Sequence, residues 1–252
     1  MLVDWHNHTS DFSDGRLSLR EVAERGQQLG LRLGVADHVL RDNPGLRRTG
    51  QFVAYAEALA RYPVLPGMEI SLGEETNPDD RWIGRFTHVV ASMHTVPVGE
   101  YVVNAVHYLN YRAGVLPTLQ PPAAEVDPAA YLDAVPALLE QTFRRWPVTI
   151  LGHFALVPGL TERARAAQVA ACLDAVTELT VRHGVAIEIN SKSKVPDLDT
   201  VLRMAARGAT FSLGSDGHLP EQVGDLTYSR RIWSESGLPP KRLLAPPGAS
   251  PD

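Results

Sequence analysis

The sequence predicts an α/β domain built on a parallel sheet, and two features of the chain support that prediction. Seven short apolar runs alternate with segments of helical periodicity, and several runs are continuously apolar, as strands covered on both faces are. The length of 252 residues suits one α/β barrel, because such barrels commonly run to about 250 residues. A closed barrel and an open doubly wound sheet both fit this alternation.

The predicted strands are short and are spread over the whole chain. They lie at residues 2–5, 32–37, 63–70, 88–93, 148–154, 185–190 and 209–215. The predicted helices lie at residues 18–30, 51–61, 129–145, 163–183, 198–207 and about 220–236. Ser18, with Glu21 three residues later, has the pattern of a capping box, and Gly30 is typical of the C-cap of that helix.

One segment interrupts the alternation of strands and helices. Residues 97–127 form a long insertion that contains three tyrosines and then a proline-rich stretch. An insertion of this length in a compact domain is typical of a lid, a binding loop or a disordered segment. We therefore expect one domain over residues 1–240 that carries this insertion, followed by a Pro/Gly-rich tail at 241–252 with a poorly ordered end.

Composition and charge narrow the class of function. A net charge of −5 and a pI of about 6.0 disfavour a nucleic-acid-binding surface. No run approaches the ~18 apolar residues of a membrane span, and the N-terminus lacks the pattern of a signal peptide. The single cysteine, Cys172, fits a reducing compartment and lies in a predicted buried helix face. We expect a cytoplasmic protein that acts on a small molecule, without nucleic acid or membrane as partner.

Potential metal ligands occur where the predicted strands end. Six of the nine histidines lie at these ends together with three acids. The carboxyl ends of parallel barrel strands open on one face, which is where such enzymes have their active sites. Ligands from segments so far apart in sequence favour a catalytic metal site over a compact structural one. These residues are His6, His8, His38, His94, His153 and His218, with Asp37, Glu69 and Asp216.

The spacing of two pairs supports metal binding. In extended chain, residues two apart point to the same side, so His6 and His8 can reach one ion, as can Asp216 and His218. Imidazole together with carboxylate suits zinc, iron or manganese. Each pair alone is weak evidence, because an isolated His-x-His motif is more often an ordinary surface or core feature. The joint pattern predicts a site for more than one metal ion.

The other three histidines are not assigned to the metal site, and neither is Asp37. His88 begins a predicted strand and therefore lies at the wrong end of the barrel. His183 lies at a helix C-terminus, where the helix dipole favours positive charge, and His107 lies in the insertion. Asp37 is expected to orient its neighbours rather than bind metal, as carboxylates near histidine ligands commonly do.

Taken in order, the motifs resemble the PHP (polymerase and histidinol phosphatase) metallohydrolases over nearly the whole chain. Within that family the chain is most similar to the single-domain branch that includes histidinol-phosphate phosphatases. The resemblance implies a distorted seven-stranded (β/α) barrel that holds two or three divalent ions of zinc, iron or manganese. The motifs are HNH…SDG, ADH, GMEIS, SMH, GHF, EINS and GSDGH.

The resemblance also implies a ligand set for each ion. The first ion would be bound by His6, His8, Glu69 and Asp216, the second by His94 and His153 with Glu69 shared, and the third by Asp14, His38 and His218. Many histidinol phosphatases have histidine where Asp14 stands, and Asp11 is the alternative acid here. Ala155 stands where these phosphatases often have aspartate after the histidine of the fifth strand.

The activity implied by the resemblance is hydrolysis of a phosphate monoester by metal-activated water. Histidinol phosphate is the leading candidate substrate, and another small phosphorylated metabolite or a nucleotide is the alternative. The expected catalytic residues are Glu69, Asp216 and His218. Phosphate also needs polar or cationic groups, and arginine gives bidentate contacts to it. The candidate substrate-binding residues are Arg16, Arg41, Arg112, Asn190 and Lys192.

Three other classes of protein share parts of this pattern. Amidohydrolases also combine an early His-x-His with an aspartate after a late strand, but often use a carboxylated lysine, and no lysine precedes Lys192. A DNA-directed exonuclease would need a basic surface, which the acidic balance disfavours. A non-catalytic metal-binding domain would be expected to have lost ligands, whereas the whole set is present in this chain.

Overall fold

Seven parallel strands form a nearly closed barrel in the computed structural model, which describes residues 2–39, 45–46, 49–75, 83–246 and 248. Two further strands, β5 and β6, form a separate hairpin. In chain order the described strands are β1 (Val3–Asp4), β2 (Arg32–Val35), β3 (Leu65–Ser71), β4 (His88–Ser92), β5 (Thr95–Val98), β6 (Tyr101–Asn104), β7 (Ile150–Gly152), β8 (Ala186–Asn190) and β9 (Phe211–Gly214). The barrel order is β1-β2-β3-β4-β7-β8-β9, and every neighbouring pair is parallel.

The first and last barrel strands meet through one backbone hydrogen bond. The amide of Trp5 donates to the carbonyl oxygen of Leu213 over 3.0 Å. Six of the barrel strands lie within predicted strands, and β3 extends one residue beyond the predicted end at residue 70. The predicted barrel is therefore confirmed, and the open sheet, which the alternation alone allowed, is wrong.

Helices surround the barrel. They are α1 (Leu19–Leu29), α2 (Thr49–Leu59), α3 (Ala105–Arg112), α4 (Pro128–Arg145), α5 (Pro158–Thr161), α6 (Ala166–His183), α7 (Leu198–Ala206) and α8 (Thr227–Ser236), with a 3-10 turn at Pro240–Arg242. At the start of α1, Ser18 and Glu21 form the predicted capping box, and Gly30 ends the helix with a φ of 64°. The last helix begins later than predicted, because residues 219–224 form turns and Gly224 has a φ of 79°.

The insertion contains regular secondary structure over residues 97–112. Strands β5 and β6 form an antiparallel hairpin, and α3 follows it directly. Asn104 caps α3, since its side chain accepts a hydrogen bond from the amide of His107 over 3.1 Å. Leu109 of α3 is buried, so this helix is attached to the barrel rather than free in solvent.

The barrel interior is filled by a small apolar layer distinct from the main core between sheet and helices. Its residues come from five neighbouring strands or their ends, as expected for the inside of a barrel. They are Val3, Trp5, Ala36, Leu65, Val90 and Ile150. His88 closes the layer from the amino-terminal side, with its Nε2 2.9 Å from the carbonyl oxygen of Trp5. Burial lowers the pKa of His88 to about 3, which suits a neutral structural histidine.

The packed part of the chain extends beyond residue 240. The amide of Leu244 donates to the carbonyl oxygen of Phe211 over 2.7 Å, and Leu244 packs against the inner apolar layer. The predicted disorder concerns the end of the tail, and residues 249–252 lie outside the described part of the chain. Among the described helices, none combines the length and the apolar character needed to cross a membrane.

Candidate metal centre

Six histidine side chains, here called the histidine cluster, meet at the carboxyl ends of the barrel strands. The segments that carry them continue the hydrogen-bond pattern of the sheet. The amide of His8 donates to the carbonyl oxygen of Gly217 over 3.0 Å, and the amide of Val39 donates to that of Glu69 over 2.9 Å. Strand-like pairing therefore holds the ligands of different loops in register. The cluster consists of His6, His8, His38, His94, His153 and His218.

Glu69 lies at the centre of the histidine cluster and is fully buried. Its Oε2 faces three imidazole rings and its Oε1 faces two. Burial opposes ionisation, but positive charge on His38 and His6 and the hydrogen bond from His153 hold the pKa of Glu69 well below its usual value. The ring nitrogens within 3.5 Å of the two oxygens belong to His6, His8, His38, His94 and His153.

Asp216 is the second carboxylate of the cluster. Its Oδ1 lies 3.4 Å from His8 Nε2 and 3.2 Å from His218 Nδ1. Its Oδ2 lies 3.3 Å from Lys192 Nζ. Although burial opposes ionisation, Lys192 and His218 hold the pKa of Asp216 well below its usual value. Asp216 is therefore an ionised carboxylate aimed into the cluster.

Asp14 is the third carboxylate and the most exposed of the three. Its Oδ1 lies 3.3 Å from His218 Nε2 and 3.6 Å from His38 Nε2. The rival acid, Asp11, accepts a hydrogen bond from the amide of Leu19 over 2.8 Å at the start of α1. The structure thus brings Asp14 to the histidine cluster and assigns Asp11 to a helix end.

The ligand atoms fall into three overlapping groups whose members lie within 4.8 Å of one another. These resemble the three predicted sets but divide the residues differently, since His8 and His38 each belong to two groups. Sharing is expected where the predicted ions lie side by side. The groups are His8, Asp14, His38 and His218; His6, His8 and Asp216; and His38, Glu69 and His94.

The donor set fits divalent metal ions. The Nε2 atoms of His6 and His8 are 3.2 Å apart, so both rings can direct a nitrogen at one cation. Burial and the neighbouring His218 and His38 hold the pKa of His8 well below its usual value, which favours the neutral ring that binds a metal ion. Neutral imidazole with carboxylate is the combination that zinc prefers.

Glu188 supports the cluster from below, and it was not among the residues that the sequence motifs predicted for the site. Its Oε1 lies 2.9 Å from His6 Nδ1, and its Oε2 accepts hydrogen bonds from the backbone amide of His153 over 2.7 Å and from Asn190 Nδ2 over 2.9 Å. Metal-binding histidines commonly donate their other ring nitrogen to a carboxylate in this way. The signal in the sequence is an acid inside an apolar strand, two residues before Asn190.

Two backbone features show how tightly Glu188 is enclosed. A Cβ atom on Gly214 would lie 1.9 Å from Glu188 Oε1, so only glycine leaves room for this carboxylate. His153 and Asp216 have positive φ angles of 29° and 54°, a region that costs non-glycine residues about 1–3 kcal/mol. The hydrogen bond from His153 to Glu188 helps to hold that conformation.

Two further buried carboxylates brace the loops that carry the ligands. Asp4 accepts from the amide and hydroxyl of Ser215 over 2.8 and 2.6 Å, and from the amide of His6 over 3.3 Å. Asp37 accepts from the amide and hydroxyl of Thr9 over 2.6 and 2.7 Å. Burial raises the pKa of Asp4 to about 6 and that of Asp37 to about 7. Asp37 thus holds the loop after β1, as expected for an orienting residue.

Lys192 is the one candidate phosphate-binding residue found beside the cluster among the described residues. Its Nζ lies 3.1 Å from His218 Nδ1 as well as 3.3 Å from Asp216 Oδ2, and it lines the cleft above the histidine cluster. The loop after β8 carries it there. Arg41 lies outside the described residues.

None of the other three described candidates for substrate binding lines the cleft above the cluster. Asn190 is buried. Its Nδ2 donates to Glu188 Oε2 over 2.9 Å and its Oδ1 accepts from the amide of Ser193 over 2.8 Å, and these bonds stabilise the loop. Arg112 Nη2 donates to the carbonyl oxygen of Lys194 over 2.6 Å and lines a neighbouring pocket instead. Arg16 is exposed outside the lining of the cleft.

A parallel barrel with histidines and carboxylates gathered at the carboxyl ends of its strands is the architecture of metal-dependent hydrolases. The family model described as PHP domain matches residues 4–192. That range is well over half of the chain, so this protein belongs to the PHP domain family. The matched range includes the first seven proposed metal ligands and ends before Asp216 and His218.

Two curated relatives and two solved structures are similar to this chain. A probable phosphatase of Edwardsiella ictaluri is 25% identical over 96% of this chain and 89% of its own length. A probable phosphatase of Pectobacterium atrosepticum is 31% identical over 28% of this chain and 32% of its own length.

The two solved structures share the fold at low sequence identity. One is the histidinol phosphate phosphatase of Lactococcus lactis, solved with zinc, L-histidinol and phosphate, at 15% identity and a TM-score of 0.58 over 94% of both chains. The other, from Listeria monocytogenes, is provisionally assigned as a histidinol phosphatase. It has 12% identity and a TM-score of 0.64, covering 90% of this chain and 99% of its own.

Proposed function

We propose that this protein is a metal-dependent phosphomonoesterase. The observation that carries the proposal is the buried Glu69, whose two oxygens face imidazole nitrogens of five different histidines at the carboxyl end of the barrel. Burying so many polar groups together is costly unless a cation compensates them, and the barrel core beneath them is filled by apolar side chains. The similarity of this chain, over nearly its whole length, to a probable phosphatase supports the same reaction class.

The proposed ligand sets are those that the resemblance to the PHP metallohydrolases implies, and the contacts within the cluster support them. His6, His8, Glu69 and Asp216 would hold the first ion, His94, His153 and Glu69 the second, and Asp14, His38 and His218 the third. When bound, divalent ions would lower the pKa of water and neutralise charge on the phosphoryl group. Zinc in the Lactococcus lactis structure supports zinc as the first metal to test, and iron and manganese suit the same donors.

The chain's own residues would bind and orient the phosphate. Lys192 Nζ would donate hydrogen bonds to phosphoryl oxygens at the mouth of the cluster. The Asp216 carboxylate, kept ionised by Lys192 and His218, would act as a ligand rather than as a proton donor. Glu188 would keep the proton on His6 Nδ1 and so leave Nε2 free to bind an ion. Histidinol phosphate is one candidate substrate within this class.

Metal analysis combined with a substrate panel tests the function. The purified chain should contain two or three divalent ions and release inorganic phosphate from part of a panel of monoesters that includes histidinol phosphate and aryl phosphates. Chelation should abolish the activity, and zinc, manganese or ferrous ion should restore it. A chain that binds fewer than two ions and releases phosphate from none of these esters would contradict the proposal.

Changing Lys192 to methionine should lower kcat/KM for an aryl phosphate about 10-fold to 100-fold. A hydrogen bond to a charged group contributes about 1.5–3 kcal/mol, and methionine keeps the length of the side chain while removing its charge. Most of the loss should be in KM, since phosphate binding is the role removed. Steady-state kinetics on the metal-loaded variant checks this.

The matched control for that variant is Lys194→Met. Lys194 is exposed in the same loop and does not line the cleft above the cluster. The control should keep the kinetic constants of the unchanged protein. Equal kinetic constants in both variants and the unchanged protein would show that Lys192 does not contact phosphate.

A further inference from the structure

The cleft above the histidine cluster has space for more than a phosphate group. Its volume is about 450 Å³, and the cluster forms its floor. One wall comes from α3 and the residues that follow it, and the opposite wall comes from the loop after β9. The wall residues are Val106, Leu109, Asn110, Val115, Leu219 and Gln222.

Apolar side chains dominate the wall formed by α3 and the residues after it, and the opposite wall pairs Leu219 with Gln222. Val106, Leu109 and Asn110 lie three and four residues apart on α3, so they share one helix face. Val115 is 57% exposed and Leu219 is 38% exposed, although both lie in a concave site. Apolar side chains exposed singly on a surface are ordinary, but several around one cleft indicate a surface that a ligand covers.

The charged groups of the cleft lie at its floor. The carboxylates of Asp14, Glu69 and Asp216 each lie within 3.6 Å of histidine nitrogens and are part of the proposed metal centre. Lys192 is a cation at the same level. Among the other described residues that line the cleft, we find amides, the hydroxyl of Ser193 and apolar groups but no further carboxylate.

Gln222, one of the polar groups of the walls, is itself engaged. Gln222 Oε1 accepts hydrogen bonds from the amides of His218 and Leu219 over 3.1 and 3.0 Å. This oxygen is therefore occupied in holding the loop after β9. An ammonium group on the alcohol part of a substrate would approach Lys192 and these walls. It would lose water without gaining an anionic partner from the wall residues that the structure describes.

We propose that this cleft selects phosphate monoesters of neutral, largely apolar alcohols over those whose alcohol carries an ammonium group. This inference rests on the proposed phosphomonoesterase function and concerns the substrate class of the same site. The alcohol lies between the face of α3 that carries Val106 and Leu109 and the loop that carries Leu219. Histidinol phosphate, whose alcohol is cationic, is then a poor substrate.

A matched pair of esters tests the selectivity. The ester 3-phenylpropyl phosphate and phenylalaninol phosphate share the chain and the ring, and differ only in the ammonium group. With the metal-loaded protein, kcat/KM should be about tenfold or more higher for the neutral ester, and histidinol phosphate should resemble phenylalaninol phosphate.

The possible outcomes separate the two proposals. If either cationic ester is hydrolysed as efficiently as 3-phenylpropyl phosphate, the selectivity is wrong while the phosphomonoesterase function stands. If phosphate is released neither from these three esters nor from aryl phosphates, the proposed function fails and the selectivity fails with it.

A carboxylate added to the wall should shift the preference toward the cationic ester. In Val115→Asp, the ratio of kcat/KM between neutral and cationic esters should fall by about fivefold, the upper range for an exposed ion pair. Leu219→Glu tests the opposite wall in the same way, should Val115→Asp fold poorly.

The control is Val102→Asp, which makes the same charge change on β6. Val102 is 67% exposed and lies outside the cleft, so the ratio should stay at that of the unchanged protein. A ratio that moves equally in Val102→Asp and the wall variants, or in none of them, would overturn the assignment of these walls to the alcohol.

Discussion

Glu69→Gln is expected to lower kcat for phosphate monoesters about 10³-fold and to reduce the metal content of the purified protein. The change keeps the size of the side chain but removes the negative charge that five imidazole rings surround. Charge stabilisation at a metal site is worth several kcal/mol, and about 4 kcal/mol corresponds to this loss of rate. Metal analysis and steady-state kinetics on the same preparation measure both effects.

The control for this variant is Glu24→Gln on the exposed face of α1. Glu24 pairs with Arg20 over 2.8 Å in solvent, so the control should retain both the metal content and the activity. Melting temperatures should be compared after metal removal, because loss of bound ions alone lowers stability. A Glu69→Gln protein with full metal content and unchanged kcat would contradict the central role of this carboxylate.

Glu188→Gln is expected to lower metal affinity or kcat about 10-fold to 100-fold, the usual range for a carboxylate that orients a histidine ligand. Glutamine fits the same space, but its amide nitrogen, itself a donor, would point at one of the groups that donate to Glu188 in the unchanged protein. Those donors are His6 Nδ1, the amide of His153 and Asn190 Nδ2. Titration of the apo protein with zinc measures the affinity directly.

The matched control for this variant is Glu178→Gln on α6. Glu178 is 61% exposed and faces Arg207, so zinc affinity and activity should be unchanged. If Glu188→Gln binds zinc with the affinity of the control, then Glu188 does not set the orientation of His6. A fall in unfolding stability without a change in zinc affinity would assign Glu188 to the barrel core alone.

Periodicity predicted the alternation of strands and helices, because the strands are short, apolar and separated by helical segments. The closed barrel was implied by the resemblance to the PHP metallohydrolases. Local patterns also located the ends of the strands, and with them the histidines and acids that the fold gathers at one face. The Ser18 capping box and Gly30 were predictable for the same reason, since they depend on residues only a few positions apart. The late start of α8 was missed because turns at residues 219–224 resemble a helix in composition.

The arrangement of the candidate site depends on contacts between residues far apart in the chain. Glu188 and His6 are separated by 182 positions, and Asp4 and Ser215 by 211 positions. No local pattern reports which acid lies beneath which histidine. For the same reason, sequence could nominate Arg112 for phosphate binding, whereas the fold turns its guanidinium to the carbonyl oxygen of Lys194.

The sequence by itself determined the class of fold, the family and the set of residues able to bind metal, because periodicity and motif order are local properties of the chain. Only the tertiary structure decided how those residues divide among overlapping groups, which carboxylates support them, and which walls enclose the cleft. Those features depend on closure of the barrel and on the packing of α3 over its mouth, which bring together side chains that no spacing rule connects.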